Sequence, residues 1–276
     1  MAIGDISLSA SARQNLLSLQ STSKLLGQTQ ARLGSGRKVN SSLDNASAFF
    51  SSKGFLNSAN DLSALKDSMS TAIQTVKAAT DAIESISDVI AQMQGLTNSA
   101  LQTSDATTLA GLATQFNGLR SQIDGLVTDS VFNGTNLLDD ATSGNTLQVF
   151  FNADNTTSLT VSGVNVTATG LGIEAAGGSG WGTSESIRTS QSMLQTALAT
   201  LRTNASTFGS NNTILSTRQE FTNTLISTLQ TASDNLVLAD TNEEGANLQS
   251  LQAASSLGII ALGISGSQAQ SILRLF

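Results

Sequence analysis

Between Leu62 and Ala100, steps of three and four residues land on Leu62, Leu65, Met69, Ala72, Val76, Ala79, Ile83, Ile86, Ile90, Met93, Thr97 and Ala100. Eleven of these twelve positions are apolar. That period draws a stripe down one face of an α-helix, the seam of a coiled coil. It predicts a helix over about residues 57–102, on the order of 65–70 Å long at 1.5 Å per residue, which is a rod and not a globule. A second seam with the same spacing follows at Leu109, Leu112, Phe116, Leu119, Ile123 and Leu126. The Thr103-Ser104-Asp105 cluster between the two reads as a turn ending in an N-cap, so the two helices run antiparallel. A third helical stretch opens after Gly182, with Thr183 and Ser184 as cap candidates. Its apolar positions continue from Ile187 through Phe208, Ile214 and Phe221 to Leu236.

The only β-like region lies in the middle of the chain. Thr146–Phe151 and Ser158–Val161 are short and rich in β-branched and aromatic residues, with Asp154-Asn155 between them. They predict a β-hairpin, and the alternating Val164–Thr167 is a candidate third strand. The fold class that follows is mainly α: a long coiled-coil-like helical rod built from both halves of the chain, carrying a small β-hairpin region at about residues 139–182. The glycine-rich run Gly177–Gly182 is a loop. It lacks the Lys of a phosphate-binding loop, and no strong strand precedes it.

The two ends are amphipathic as well, and termini patterned in this way have something to dock against. At the N-terminus Ala12, Leu19, Leu26 and Leu33 recur every seven residues, backed by Leu16 and Leu25. At the C-terminus Leu248, Leu251, Leu262, Ala269, Ile272 and Phe276 share one three-four register, filled in by Ser255, Gly258 and Ser265. The segment LGIIALGI (Leu257, Ile260, Leu262 and Ile264 among its residues) is apolar nearly all round, and such a helix must be buried on every side. It is the core helix of a bundle, or it is buried between subunits; its place near a chain end favours the second. The division that follows is a terminal helical domain from residues 1–40 plus 236–276, and a rod domain from residues 41–235.

Charge adds a polarity to the ends. Residues 1–38 carry five basic side chains against Asp5 alone, and residues 234–276 carry four acids against Arg274 alone. Arg37, Lys38, Asp240, Glu243 and Glu244 are the constellation to single out. They are solvated faces, worth at most about 1 kcal/mol per exposed pair, or an ion-pair zone where the terminal helices meet the rod, within or between subunits.

Composition mainly excludes. The 276 residues contain no His, Cys, Pro or Tyr, which removes His- and Cys-based nucleophile systems and Cys/His zinc sites. No catalytic residue, cofactor or metal is expected. The absence of Pro suits unbroken helices, since an interior Pro costs roughly 3 kcal/mol. A net charge of −7 with no dense basic stripe argues against a nucleic-acid partner. No unbroken run approaches the roughly 18 apolar residues of a membrane span, and no cleavable signal is expected at the N-terminus, which lacks a basic region and a long apolar core.

Three motifs then carry a family resemblance. Leu33–Ala46 (LGSGRKVNSSLDNA) resembles the signature of bacterial flagellins: Leu-Ser-Ser-Gly, a basic pair, an aliphatic residue, Asn-Ser, then acids and Ala. Val131–Leu138 (VFNGTNLL) resembles that family's Phe-Asn-Gly turn. Ala239–Glu244 with Leu248-Gln249 and the closing SILRLF resemble its C-terminus. These matches lie at both ends and in the middle, and the resemblance covers roughly two thirds of the chain. It implies a subunit that polymerises with itself into an extracellular flagellar filament, its terminal helices ordering on assembly. It further implies export without a cleaved signal, and as partners an export apparatus, an export chaperone, a filament cap and hook-junction proteins. With only residues 139–182 between the second and third helices, no large outer domain is expected. The chain departs from the pattern at Leu43, where the family usually has Lys, at Asn45 and Ala48, and around Ser265-Gly266-Ser267. The alternative is a hook–filament junction protein; that relative usually has a Pro after its acidic pair, and Asn45-Ala46 has none.

Overall fold

The computed structural model describes residues 10–139, 145–177 and 181–273, with backbone only for residues 269, 270, 272 and 273. Among the described residues five helices and one hairpin follow in chain order: α1 (Ala10–Ser35), α2 (Ala46–Leu101), α3 (Ala106–Asp129), strands β1 (Thr146–Phe150) and β2 (Ser158–Ser162), α4 (Ser184–Val237) and α5 (Thr241–Leu273). The mainly α class with a small hairpin is therefore observed. Two compact units form, Met1–Ser58 with Thr228–Phe276, and Ala59–Ser227.

In the second unit the predicted seam becomes the core. Met69, Val76, Ile86, Ile90 and Met93 of α2 lie with Phe116 and Ile123 of α3 and with Leu194, Leu201 and Phe208 of α4, all buried in one cluster. Gln191 Nε2 of α4 donates to Asn98 Oδ1 of α2 at 2.9 Å, and Gln219 Nε2 donates to the Lys66 carbonyl at 3.5 Å. The two contacts run in opposite directions along the chain, so α2 and α4 are antiparallel. The caps sit where side-chain chemistry places them: the Asp105 carboxylate accepts from Thr108 N, and Thr183 Oγ accepts from Ser186 N.

α2 starts at Ala46, well before the predicted residue 57. Its first turns (ASAFFSSKGFLNSAN) hold too few spaced apolar residues to register as a seam. The helix is opened instead by Asn45, whose Oδ1 accepts from Ala48 N at 3.0 Å. The hairpin is antiparallel, with Val149 opposite Leu159 and Leu147 opposite Val161. Val164–Thr167 is no third strand. Val164 N and Val166 N donate to the carbonyls of Leu137 and Leu138, and Thr167 N and Oγ1 then donate back to Asn165 Oδ1 in a turn that ends the pairing.

The segment after the hairpin is fixed by one polar face of α3. Asn117 exchanges two hydrogen bonds with the Ala176 backbone, Arg120 Nε donates to the Ile173 carbonyl, and Asp124 accepts from Ala168 N. This satisfies a loop's backbone without a strand partner. Trp181 closes the unit: its indole lies edge-on to Phe116 at 5.1 Å, and its Nε1 donates to Ser190 Oγ.

Candidate assembly site

The first unit is built on the pairing of the two ends. Leu16, Leu19, Leu26 and Leu33 of α1 are half-buried, as are Leu248, Leu251 and Leu262 of α5. The contacts Leu19 to Gly258 and Arg32 to Glu244 fix an antiparallel register. The face of α5 turned toward α1 carries small residues, Ser255, Gly258, Ala261 and Ser265 among its half-buried positions. A Cβ built on Gly258 would lie 3.1 Å from Leu19 Cδ1, so glycine here permits the close approach of two helices. α5 remains helical across Gly258, Gly263 and Gly266.

The opposite face of α5 is bare. Leu257, Ile259, Ile260 and Ile264 are each more than half exposed, and Leu17 and Leu25 of α1 are exposed too. LGIIALGI is therefore covered on one side by its own chain and open to water on the other. The stretch Thr241–Gln268 is long and apolar enough, by length and composition, to cross a membrane. This corrects the expectation of no such stretch: Leu, Ile and Ala spread over the whole helix raise its average although no unbroken apolar run exists. Ile272 is described by its backbone alone, and Phe276 lies outside the described residues.

The charged constellation is gathered at the junction that follows α1. Lys38 N and Val39 N both donate to the Val237 carbonyl, Ala239 N donates to the Gly36 carbonyl, and Arg37 forms a bridge with Leu238. Backbone thus joins the two strands of chain here. Lys38 Nζ donates to the Asn235 carbonyl at 3.1 Å, and Arg37 is exposed. Asp240 caps α5, accepting from Asn242 N and Glu243 N, and Glu243 is exposed at the first turn. Among the described residues the one ion pair is Arg32 Nη1 to Glu244 Oε1, at 2.9 Å. Glu244 is buried, and its Oε2 has no hydrogen-bond partner in the chain. Arg32 is one of the five basic residues within residues 1–38 and lies outside the charge constellation that the sequence singles out. Its place beside Leu33 on the α5-facing side of α1 was the available signal. No group of three acids among the described residues could hold a metal ion.

Past the junction a tight turn leads into α2. Asp44 Oδ2 accepts from Asn40 N at 3.0 Å, from Ser41 N at 2.9 Å and from Ser41 Oγ at 3.2 Å. The backbone amides of Ser41 and Asn40 hold the Asp44 carboxyl below its ordinary value of 3.8, because they favour the charged form. A depressed folded pKa stabilises the turn above the unfolded value, and that contribution is lost as pH falls through the folded pKa. Amide exchange at Asn40 and Ser41 should therefore accelerate as pH is lowered below 3.8, after correction for intrinsic rates. In Asp44→Asn that acid step should vanish; an unaltered profile would show that the carboxylate does not hold the turn.

Known proteins similar to this chain agree with one another. The bacterial flagellin N-terminal helical region matches residues 6–143. Flagellin FljO of Caulobacter vibrioides is 32% identical over 277 residues, covering 100% of both chains. The flagellin of Brucella melitensis is 28% identical over 282 residues, covering 99% of both. The crystal structure of Bacillus cereus flagellin shares the fold at a TM-score of 0.50 and 20% identity, over 56% of this chain and 88% of that one.

Proposed function

The chain belongs to the bacterial flagellins, the structural subunits of the extracellular flagellar filament, and on that premise we propose that its paired ends are the part that drives polymerisation. Residues 1–40 and 236–276 form the filament-core domain in this reading, and residues 41–235 a helical rod domain. The observation that carries the reading is the two-faced α5: one side is seated on α1 while Leu257, Ile259, Ile260 and Ile264 stand in water. An apolar face of that length costs free energy in an isolated subunit, at roughly 25 cal/mol per Å², and a neighbouring copy removes the cost. The pairing of α1 and α5 and the filling of that face are coupled, so the ends order as the subunit is incorporated.

Arg37 and Lys38 serve the same step by meeting Asp240 and Glu243 of an adjacent subunit. In support, both bases are exposed and lie outside the chain's one described ion pair. Family membership further supports, as partners, an export apparatus that passes the chain without a cleaved signal, an export chaperone, a filament cap and hook-junction proteins.

Two variants test the reading by sedimentation and negative-stain microscopy. The intact chain should form filaments under seeding, and the chain lacking residues 1–38 and 237–276 should remain a helical monomer. Arg37→Glu with Lys38→Glu should impair polymerisation and leave the helical circular dichroism unchanged. A monodisperse intact chain would sink the assembly reading, and normal filaments of the charge-reversed chain at moderate salt would sink the role given to the two bases.

A further inference from the structure

We propose that Asn133 is a site of spontaneous covalent modification, its side-chain amide lost through a succinimide closed by the Gly134 nitrogen, and that the fold directs this chemistry to Asn133 and away from Asn117.

The tripeptide Phe-Asn-Gly occurs twice in the chain, as Phe116-Asn117-Gly118 and as Phe132-Asn133-Gly134. Local sequence gives both asparagines the same flanking residues and the same unhindered glycine nitrogen. Their surroundings differ. Asn117 lies inside α3, where the Gly118 amide belongs to the helical ladder. Its side chain is tied by both polar atoms: Nδ2 donates to the Ala176 carbonyl at 3.1 Å, and Oδ1 accepts from Ala176 N at 2.9 Å. Asn117 Cγ cannot turn back toward the Gly118 nitrogen without breaking both bonds.

Asn133 and Gly134 are the two central residues of a turn closed by Phe132 and Thr135, which exchange backbone hydrogen bonds at 3.0 Å. Both central residues are exposed. Among the described residues neither the Asn133 side chain nor the Gly134 amide has a hydrogen-bond partner. Nothing lies within 4 Å of where a Cβ would stand on Gly134, so its nitrogen is open to attack the neighbouring amide.

The reaction balances with water as its only co-reactant. The Gly134 nitrogen gives its proton to solvent base and bonds to Asn133 Cγ; the bond from Cγ to Nδ2 breaks and ammonia leaves. Water then opens the ring at either carbonyl, leaving aspartate or isoaspartate, each with one new negative charge. Positive φ at both residues, 49° and 78°, marks a type I′ turn, whose main-chain torsions keep Asn133 Cγ off the Gly134 nitrogen. Opening of the Phe132–Thr135 pair therefore sets the rate. A surface turn held by two hydrogen bonds opens at a lower free-energy cost than a turn of α3 packed in the core.

The test is long incubation of the full chain at mildly alkaline pH, followed by peptide mapping in the mass spectrometer and isoaspartyl methyltransferase labelling. In the folded chain Asn133 should convert about tenfold faster than Asn117, or faster still, as set by the difference in local opening. In chain unfolded by guanidinium the two triads should convert at similar rates. Asn133→Gly, which keeps a residue suited to positive φ, should remove the isoaspartate signal from the folded chain and leave that of Asn117 in the unfolded chain. Equal rates at the two sites in the folded chain, or no conversion at Asn133, would overturn the proposal. The same tenfold bias in the unfolded chain would overturn it too, because the selectivity would then belong to the following residues, Thr135 and Leu119, and not to the fold.

Discussion

Phe116→Ala is expected to destabilise the second unit by about 3–5 kcal/mol, the range for deleting a fully buried aromatic side chain. Phe116 is fully buried at the centre of α3, edge-on to Trp181, which is itself nearly fully buried. Its removal takes away the shared ring contact and leaves a cavity walled by helices that are fixed by their own seams. The gap cannot be closed by shifting Trp181 alone, because Trp181 Nε1 is held by Ser190 Oγ at 3.1 Å. The measurement is direct, since Trp181 is the only tryptophan in the chain and its emission reports this site. Urea titration followed by that emission should show an earlier midpoint. A loss under about 1 kcal/mol, within the range of volume-tolerant swaps, would mean that the segment after the hairpin collapses onto α3 and refills the space.

Arg32→Ala should weaken the pairing of α1 with α5 by about 2 kcal/mol. Breaking a fully buried ion pair costs about 3–5 kcal/mol; the lower figure applies because the Arg32 side chain is 41% exposed, so solvent already screens part of the interaction. The asymmetry of burial sets the sign of the effect. Glu244 keeps only 9% of its side chain in water and already has one oxygen without a partner. Without Arg32 its charge is left buried and uncompensated. Pairing Arg32→Ala with Glu244→Ala removes that charge, so the double variant should be more stable than the Arg32→Ala chain. A double-mutant cycle on the thermal dissociation of filaments, in which the terminal helices are paired, measures the coupling. If the two effects simply add, the pair contributes nothing and Leu19 on Gly258 sets the register alone.

The helical body was legible from local rules. The seam from Leu65 to Ala100 became the α2 face of the core, Asp105 and Thr183 became caps, and the short β-branched and aromatic segments Thr146–Phe151 and Ser158–Val161 became the hairpin. The Phe-Asn-Gly motif became a turn with Asn133 and Gly134 at positive φ, the conformation that Asn and Gly reach most readily. The start of α2 was not legible, because Asn45 opens it ahead of any apolar period. Nor was the end of the sheet, because Val164–Thr167 alternates like a strand while its amides bond to Leu137 and Leu138.

The sequence by itself determined that both ends are helices needing partners: periodicity and opposite charge act within one or two helical turns and can be read along the chain. Only the tertiary structure decided which face of α5 meets α1, and which base meets Glu244. An all-apolar helix has no preferred side until close approach selects the one lined by Ser255, Gly258 and Ser265. Once Leu19 lies on Gly258, the register carries Arg32, and not Arg37 or Lys38, to Glu244. Ion pairs form over a few ångströms, and that distance is fixed by packing between elements more than 200 residues apart in the chain.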